Sequence, residues 1–409
     1  MAKKPPALDG RTTESELELA FQEEAGGPTR LDLKLKGKSV SHLWIIPFKI
    51  RIGAATVPMG GIGDVWTDKA CRNRGYARRM LDAAVTRMEQ GAAALSMLYG
   101  IRDFYPKFGY ATAGADHFIT LEEIEDDASL PEGWQARALA QEDLPAVRNL
   151  YDRSIRAGVG AAERPPHGSA WSRLEAAAGD ATAARVILNP EGVLSAYAWE
   201  GKDAWYHGEI AKREPDALAL SEALAEGPAA ADALLAACRI WAMERSEGRK
   251  RSIKRVVIAQ PPEGPVAAAA MRQAATFSRR FDPCGSSMVR ALNVERLLEA
   301  LLPELNVRLQ RARYPLSGVL HFQTDIGEAR LRSLNGTIKP LNPRDPDAPK
   351  GPVYPVRLPQ YELGRLALGA FPPGDLLARL ENPPAPETCE ILRILFPERN
   401  PHMYLQDRF

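Results

Sequence analysis

Residues 60–110 read GGIGDVWTDKACRNRGYARRMLDAAVTRMEQGAAALSMLYGIRDFYPKFGY, and their pattern decides the fold expected for the chain. A short apolar run over residues 62–67 predicts a strand, and a polar turn follows it. The next stretch repeats apolar residues at i, i+3, i+4 and i+7, which marks one face of an α-helix. Those apolar residues are Ala77, Met80, Leu81, Ala84, Val85 and Met88. The polar turn therefore falls at a helix N-terminus.

This turn, Arg72-Asn73-Arg74-Gly75-Tyr76-Ala77, has the composition of an anion-binding site. The first turn of a helix offers free backbone N–H groups and the positive end of the helix dipole. Gly75 lets a phosphate approach the backbone closely, and the two arginines add charge-assisted hydrogen bonds. The alternative is a solvated turn that caps an ordinary helix.

The turn matches the R/Q-x-x-G-x-G/A pattern of the GNAT superfamily of acyl-CoA-dependent N-acyltransferases, and the chain resembles that superfamily beyond it. A buried strand is predicted over residues 93–99, and Asp103-Phe104-Tyr105-Pro106-Lys107-Phe108-Gly109-Tyr110 follows. In the superfamily an F-Y-x-x-x-G-F/Y string occupies this place, and its first tyrosine is the general acid. The resemblance implies acetyl-CoA as co-substrate, with its pyrophosphate at the turn.

Tyr105 stands at the general-acid position of that string. When an amine attacks a thioester, the tetrahedral intermediate expels CoA thiolate. A phenol of pKa ~10 can protonate a thiolate of pKa ~8.5. The alternative is that Tyr105 and Tyr110 are two core aromatics; we keep that interpretation for Tyr110 and predict catalysis for Tyr105.

The resemblance also implies a set of cofactor-binding residues. Backbone groups at the end of the organising strand would meet pantetheine and form an oxyanion hole for the acetyl oxygen. The side chain of Trp66 is itself a candidate core residue, and Arg78 fits a solvated helix face better than a direct ligand. The implied residues are Val65, Trp66, Thr67, Arg72, Asn73, Arg74, Gly75, Tyr76, Ala77 and Arg78.

The composition describes a soluble globular protein of more than one domain. A chain of 409 residues exceeds one ordinary core, and it is 45% hydrophobic and 26% charged. A net charge of +1 gives no electrostatic footprint for nucleic acid or membrane. The four cysteines form no C-x-x-C and the six histidines no H-x-x-x-H, so no disulfide framework and no metal site are predicted. Without an apolar leader or a run of ~18 apolar residues, the cytoplasm is the expected location.

We predict an α/β (α+β) fold of two tandem GNAT-like domains and a third domain. The first covers residues 1–130, with a short helix at 14–24, strands at 29–35 and 39–50, and a final strand at 117–121. The paired helices that usually open this domain are compressed here. Because those helices help to wall the acceptor pocket in the superfamily, the acceptor stays open.

The second domain is predicted over residues 131–292. Its order of strand, helix, hairpin, helix and strand repeats the first domain, but the CoA turn does not repeat, because Glu226 stands where an arginine is needed. We interpret it as a degenerate GNAT-like domain without cofactor; an unrelated α/β unit is the alternative. The basic run at 249–255 is interpreted as a solvated connection, since no aromatic residues alternate with it.

The third domain is predicted over residues 293–409. An apolar helix stripe, two strands, and an Asn335-Gly336 hairpin turn resemble the sterol-carrier-like third domain of the enhanced-intracellular-survival (Eis) family. The aromatic tail that ends in Phe409 is also typical of that family. The resemblance implies that the α-carboxylate of Phe409 is the general base. A free α-carboxylate has a pKa near ~3.5, and burial raises it; a frayed tail is the alternative.

Together these features predict an acetyl-CoA-dependent N-acetyltransferase that acts on a primary amine of a small molecule or peptide. The resemblance further implies a homo-oligomer, with a hexamer as the expected form. No nucleic acid, membrane or metal is expected. The alternative function is a non-enzymatic lipid- or protein-binding module that uses the third domain.

Overall fold

The computed structural model describes residues 16–23, 27–122, 124, 128–202, 205–247, 252–282, 285–341 and 351–409. In these ranges the strands are β1 (Leu17–Glu23), β2 (Thr29–Leu35), β3 (Lys38–Ile52), β4 (Ala55–Thr67), β5 (Leu95–Gly100), β6 (Ala111–Thr112), β7 (Asp116–Leu121), β8 (Gln135–Ala138), β9 (Val159–Ala162), β10 (Ala184–Leu188), β11 (Leu194–Trp199), β12 (Ala217–Leu220), β13 (Glu222–Ala225), β14 (Arg255–Ala259), β15 (Ala275–Arg280), β16 (Ser286–Ala291), β17 (Gly318–Thr324), β18 (Gly327–Leu334), β19 (Thr337–Pro340) and β20 (Val353–Arg357). The α-helices are α1 (Tyr76–Gln90), α2 (Leu144–Ser154), α3 (Ser169–Ala176), α4 (Trp205–Arg213), α5 (Pro228–Ser246), α6 (Gly264–Ala270), α7 (Val294–Ala312), α8 (Gln360–Leu368), α9 (Pro373–Ala378) and α10 (Pro386–Leu395).

The first sheet has the strand order β1-β2-β3-β4-β5-β16-β6, and β9 adds to β3. Lys36 and Gly37 join β2 to β3 with positive φ angles of 52° and 77°, as a tight hairpin turn requires. The sheet is antiparallel except for β4 and β5, which run parallel because α1 crosses between them.

The helix expected over residues 14–24 is wrong in its described part, which is strand β1. Leu17, Leu19 and Phe21 recur every second residue, which is the strand period. β1 pairs along its whole length with β2 at the edge of the sheet. The apolar residues were identified correctly, but their spacing of two residues is that of a strand and not of a helix.

Strands are exchanged between the first sheet and a second sheet. β7, expected as the last strand of the first domain, pairs instead with β14 and β15. In return β16 pairs with β5 and β6 in the first sheet. The strand predicted at residues 117–121 is therefore present, but its expected place in the first sheet is wrong, and the sheets cross the predicted boundary near residue 130.

The middle of the chain builds two four-stranded sheets, ordered β13-β11-β10-β8 and β12-β14-β7-β15. The predicted hairpin is present as β10 and β11, with Gly192 at φ 77° in its turn. Helix α5 is rich in alanine and buries Trp241 between the sheets. Small side chains let this helix lie close to the strands on both sides.

The last part of the chain packs on the first sheet. α7 covers a sheet of order β19-β18-β17-β20 and also contacts β4. Met59 of β4 and Leu298 of α7 belong to one continuous core. Glu304 of α7 accepts a hydrogen bond from the Ala54 backbone at 2.7 Å in the β3–β4 turn. The first sheet thus has α1 on one face and α7 on the other.

Candidate active site

The site begins where the parallel strands β4 and β5 separate. Their registered pairs run from Met59 and Leu95 to Ile62 and Leu98. Beyond this point β4 carries a bulge against β3, and Asp64 adopts a left-handed conformation with φ 48°. A bulge leaves the extra residue unpaired and increases the local twist. The ends of the two strands therefore diverge and open a groove.

The groove has a volume of about 480 Å³ and lies among the end of β4, the start of α1 and a short 3-10 helix at Tyr105–Phe108. Most of the residues predicted to bind the cofactor line it, while Trp66 and Arg74 are not among the lining residues. Those that line it are Val65, Thr67, Arg72, Asn73, Gly75, Tyr76, Ala77 and Arg78.

The N-terminus of α1 opens into this groove. Gly75 precedes the helix with φ 77°, and a Cβ there would meet nothing within 4 Å. Among the described residues no side chain caps this end, and its first turn contains no acid. The first N–H groups are therefore available to an anion. At the start of α5, by contrast, Gly227 is extended at φ −169° and Pro228 removes a donor.

Three cationic side chains line the groove. The Arg72 Nε donates to the Thr67 carbonyl oxygen at 3.3 Å, and the Arg78 guanidinium lies 5.0 Å from the centre of the Phe108 ring. Lys107 Nζ lies 4.4 Å from the centre of the Phe104 ring. Arg78, which was expected to lie on a solvated helix face, thus lines the groove. Lys107 was missed, although its place two residues after Tyr105 could have drawn attention to it.

Tyr105 lies in the wall of the groove, in the 3-10 helix that follows β5. A Cβ at Gly100 would come within 2.6 Å of its ring, so the glycine makes room for the tyrosine. Only 7% of Tyr105 is exposed, and this burial raises the pKa of its phenol to about 12. The phenol is therefore protonated throughout the neutral range.

Tyr110 is buried away from the groove. Its hydroxyl and the Ser96 Oγ are 2.7 Å apart, and the Ser96 hydroxyl donates to the Gly60 carbonyl oxygen at 2.9 Å. The Tyr110 hydroxyl is thus the donor in the first contact. Burial raises the pKa of this phenol as well. These contacts favour a structural role for Tyr110.

The side chain of Trp66 is exposed, so its interpretation as a core residue is wrong. It is 41% exposed and stacks on the His42 ring, with ring centres 5.1 Å apart. Successive strand residues point to opposite faces, so Val65 packs towards α1 while Trp66 points to the other side of the sheet.

Phe409 lies against the other face of β4. A Cβ at Gly61 would come within 2.5 Å of the Phe409 ring, and one at Gly63 would lie 3.4 Å from its carboxyl carbon. The Phe409 ring stacks on Phe48 at 5.1 Å and meets the edge of Tyr99 at 5.8 Å. The carboxyl group therefore sits where the two strands begin to diverge.

A buried ion cluster fixes the segment before Phe409. The Arg164 guanidinium donates to both carboxylate oxygens of Asp407, at 2.8 and 2.9 Å, and to Glu222 at 3.1 Å. These side chains are at most 3% exposed. The Tyr151 hydroxyl donates to the Ala162 carbonyl oxygen, and the Arg164 guanidinium lies over the Tyr151 ring at 3.9 Å. The paired carboxylates and the burial together hold this segment in one position.

Neighbouring tail residues have partners in other parts of the molecule. The Gln406 amide donates to the Gly201 carbonyl oxygen at 2.9 Å, and Arg408 donates to Asp116 at 2.7 Å. His402 donates its backbone N–H to the Val159 carbonyl oxygen at 2.8 Å. Residues 401–407 are buried throughout, so the tail is packed and not frayed.

Other features of the described residues concern metals, thiols and membranes. Cys71, Cys238 and Cys389 are free thiols; Cys284 lies outside the described ranges. Within those ranges no three His, Cys, Asp or Glu side chains group to hold a metal ion. None of the helices described is long and apolar enough to cross a lipid bilayer.

Comparison with known proteins gives the class of the first domain and the fold of the chain. Residues 30–113 match the family model for an acetyltransferase (GNAT) domain. A GCN5-related N-acetyltransferase from Kribbella flavida has a TM-score of 0.65 at 19% identity, covering 93% of this chain and 87% of that chain. One from Anabaena variabilis has a TM-score of 0.66 at 19% identity, covering 93% and 89%. No curated protein matches the chain in sequence.

Eis1 from Mycobacterium abscessus shares the architecture with a TM-score of 0.60 at 15% identity, covering 93% of this chain and 91% of that chain. The GNAT resemblance is therefore confirmed, and the chain carries a GNAT acetyltransferase domain. By class, this domain is an acetyltransferase domain. The fold of the chain over most of its length is one that Eis1 also has.

Proposed function

We propose that this protein transfers the acetyl group of acetyl-CoA to a primary amine at the point where β4 and β5 separate. One observation carries the proposal. The groove at the start of α1, with Tyr105 in its wall, and the carboxyl end of Phe409 meet the same short stretch of β4 from opposite faces. A thioester that reaches the strand gap from the groove would have an acid on one side and a base on the other.

The cofactor side uses the start of α1. The backbone N–H groups after Gly75 and the cations of Arg72, Arg78 and Lys107 would hold the pyrophosphate. The bulge at Asp64 supports an oxyanion hole made by the backbone at Val65, because the ladder leaves bulge residues unpaired. Arg74 is a weaker candidate, since it does not line the groove.

Proton transfer would use both ends of the site. The amine nitrogen forms a bond to the acetyl carbon as the carbon–sulfur bond breaks. The amine proton passes to the Phe409 carboxylate, directly or through one water, and the Tyr105 hydroxyl donates a proton to the departing sulfur. The high pKa of Tyr105 keeps that proton in place until the thiolate develops. The anchored tail supports the assignment of Phe409, because a base must be held within reach of its proton.

A thiol-release assay tests the activity. The full chain is incubated with acetyl-CoA and a panel of primary amines, and free CoA thiol is measured against amine-free controls. Acetyl-CoA should also raise the melting temperature, because a ligand stabilises the folded state by RT ln(1 + [L]/Kd). If no amine releases thiol and millimolar acetyl-CoA gives no thermal shift, acetyl transfer is excluded.

The remaining proposals concern the third unit and the assembly. The α7 helix over the β17–β20 sheet supports a sterol-carrier-like unit, and lipid binding there is the alternative function. A thermal shift with fatty acid and none with acetyl-CoA would favour that alternative. We also propose a homo-oligomer, with a hexamer as the form that the family resemblance implies. A monomeric mass, measured by light scattering at micromolar concentration, would contradict this proposal.

A further inference from the structure

A row of aromatic side chains extends from Phe409 across the open end of the first sheet. His42 is in register with Trp66, Trp44 with Gly63, and Ile46 with Gly61. Side chains in register share one face of a sheet. Phe409 fills the space over the two glycines. Trp44 therefore stands beside the carboxyl group, and the His42–Trp66 pair is the next step along the row.

The Trp66 end of this row is exposed, and the His42–Trp66 pair is nearly parallel. Trp66 is 41% exposed, and its ring is inclined by only 22° to that of His42. Trp44 and His42 are half-buried. An exposed tryptophan that is held flat by a neighbour offers its free face to another ring, and stacking of this kind is favourable in aromatic pairs. An isolated surface tryptophan would lack this support.

The carboxylates along the row already have partners. Asp32, in register with His42, is 3% exposed and accepts hydrogen bonds from Arg30 at 2.8 and 3.1 Å and from Ser39 at 2.6 Å. The Arg30 guanidinium also lies 5.6 Å from the Trp44 ring centre. Asp64 contacts the His42 Nε2 at 3.1 Å. A cation that binds Asp32 would have to displace Arg30 or Ser39, and that displacement would cost free energy.

We propose that the acceptor is a primary amine carried on a flat aromatic body, with its ring against Trp66 and Trp44 and its nitrogen at the Phe409 carboxyl group. Polycationic amines are then poor acceptors. The proposal rests on acetyl transfer at this site and names the class of amine. In the transfer a carbon–nitrogen bond forms, the carbon–sulfur bond breaks, the amine proton goes to the carboxylate and the thiolate takes the proton of Tyr105.

The test compares amines of matched reactivity. Tryptamine and phenethylamine are the aromatic probes, hexylamine is an apolar amine without a ring, and spermidine and kanamycin are polycations. We expect kcat/KM to be about tenfold higher for tryptamine than for hexylamine, as a good stacking contact gives. Both polycations should fall below hexylamine. A polycation that equals or exceeds tryptamine overturns the proposal.

Two variants distinguish an effect of the aromatic row from an effect of any exposed aromatic side chain. Trp66→Ala should lower kcat/KM for tryptamine about tenfold, mainly through the KM of the amine, and should lower kcat/KM for hexylamine much less, because hexylamine has no ring to stack. Phe21→Ala is the matched control, since Phe21 is also 41% exposed but is in register with Leu31 on the opposite face. Equal behaviour of the two variants contradicts the proposal. Failure of acetyl transfer itself would look different, because no amine would then release thiol.

Discussion

Tyr105 and Tyr110 show how a hydrogen-bond partner separates two phenols that are five positions apart. Both are buried, and burial raises both pKa values. Tyr110 gives its proton to the Ser96 Oγ within the core, whereas Tyr105 borders the groove. A phenol whose donor is already used cannot meet a departing sulfur. The two residues should therefore respond differently to the loss of one oxygen atom.

Tyr105→Phe should slow turnover by roughly 10²–10⁴ while the affinity for acetyl-CoA is retained, because only the donated proton is lost. Tyr110→Phe should leave turnover nearly unchanged and cost about 1 kcal/mol of stability, since it removes a buried hydrogen bond. Steady-state kinetics, calorimetric titration with acetyl-CoA and thermal melts distinguish the two. The opposite order of effects would show that Tyr110, and not Tyr105, is the catalytic tyrosine.

The pH profile gives a control for this assignment. A phenol with a pKa of about 12 stays protonated from pH 6 to 10, so kcat should show no basic limb caused by its deprotonation in that range. Activity should instead rise with pH as more of the amine becomes neutral. A basic limb below pH 10 that disappears in Tyr105→Phe would show a phenol of much lower pKa in the working enzyme.

At the scale of elements, the start of α1 concentrates positive charge on the groove. Arg72→Ala and Lys107→Ala should each weaken acetyl-CoA binding, with a loss of roughly 1.5–3 kcal/mol for a charge-assisted contact and less at high salt. Arg79→Ala is the control, since Arg79 lies on the same helix and does not line the groove. Unchanged affinity in both groove variants, measured by calorimetry, would remove the pyrophosphate assignment.

Gly75→Val is a less specific probe of the same turn. The residue has φ 77°, a left-handed conformation that a β-branched side chain adopts only with strain. The variant would disturb the start of the helix as well as the phosphate site. The pyrophosphate assignment is therefore tested by the Arg72→Ala and Lys107→Ala substitutions.

The tail is the second element with a predicted role. Deleting Phe409, or adding residues after it, moves the carboxylate and should lower turnover by roughly 10²-fold or more with acetyl-CoA binding kept. Phe409→Ala keeps the carboxylate and should cost less, although it loses the stacking on Phe48. The buried Asp407–Arg164 pair remains in all three variants, so the tail should still be anchored. Full activity of a C-terminally tagged chain would reject the carboxylate as base.

At the scale of the whole molecule, His117 of β7 and His402 of the tail meet at a buried junction. Burial lowers the pKa of His117 to about 4. The positive charges of Arg279 and Arg408 lower it further, while the carboxylates of Asp116 and Glu263 act in the opposite direction with smaller effect than burial. Burial also lowers the pKa of His402 well below its usual value, helped by Arg408 and His117.

These shifts predict a loss of stability in acid. In the unfolded chain histidine has a pKa near ~6.5, so below that pH the unfolded state binds protons that the folded state does not. The stabilisation is complete above pH ~6.5 and should decline towards pH 4 by up to about 1.4 kcal/mol per pH unit for each histidine. Thermal melts from pH 7.5 to 5 measure it, and His117→Asn should flatten the curve. A melting temperature that is constant over this range would contradict the burial of neutral rings.

The sequence predicted elements better than it predicted their partners. Strand β2 spans residues 29–35 as expected, and the apolar positions Met80, Leu81, Ala84, Val85 and Met88 are buried on one face of α1 as expected, because periodicity is a local property. Of the site, the turn at Gly75 and the position of Tyr105 were readable from spacing. The exposure of Trp66 was not, because it depends on the bulge in β4.

The exchange of β7 and β16 has a consequence for how the chain is made. β7 ends at Leu121, but its partner β14 begins at Arg255, and the first sheet waits for β16 at Ser286–Ala291. At typical rates of synthesis this interval is on the order of ten seconds, during which both sheets have open edges. We therefore expect neither sheet to be completed until residues 255–291 have been synthesised, and the edges left open until then are ones that other chains could pair with.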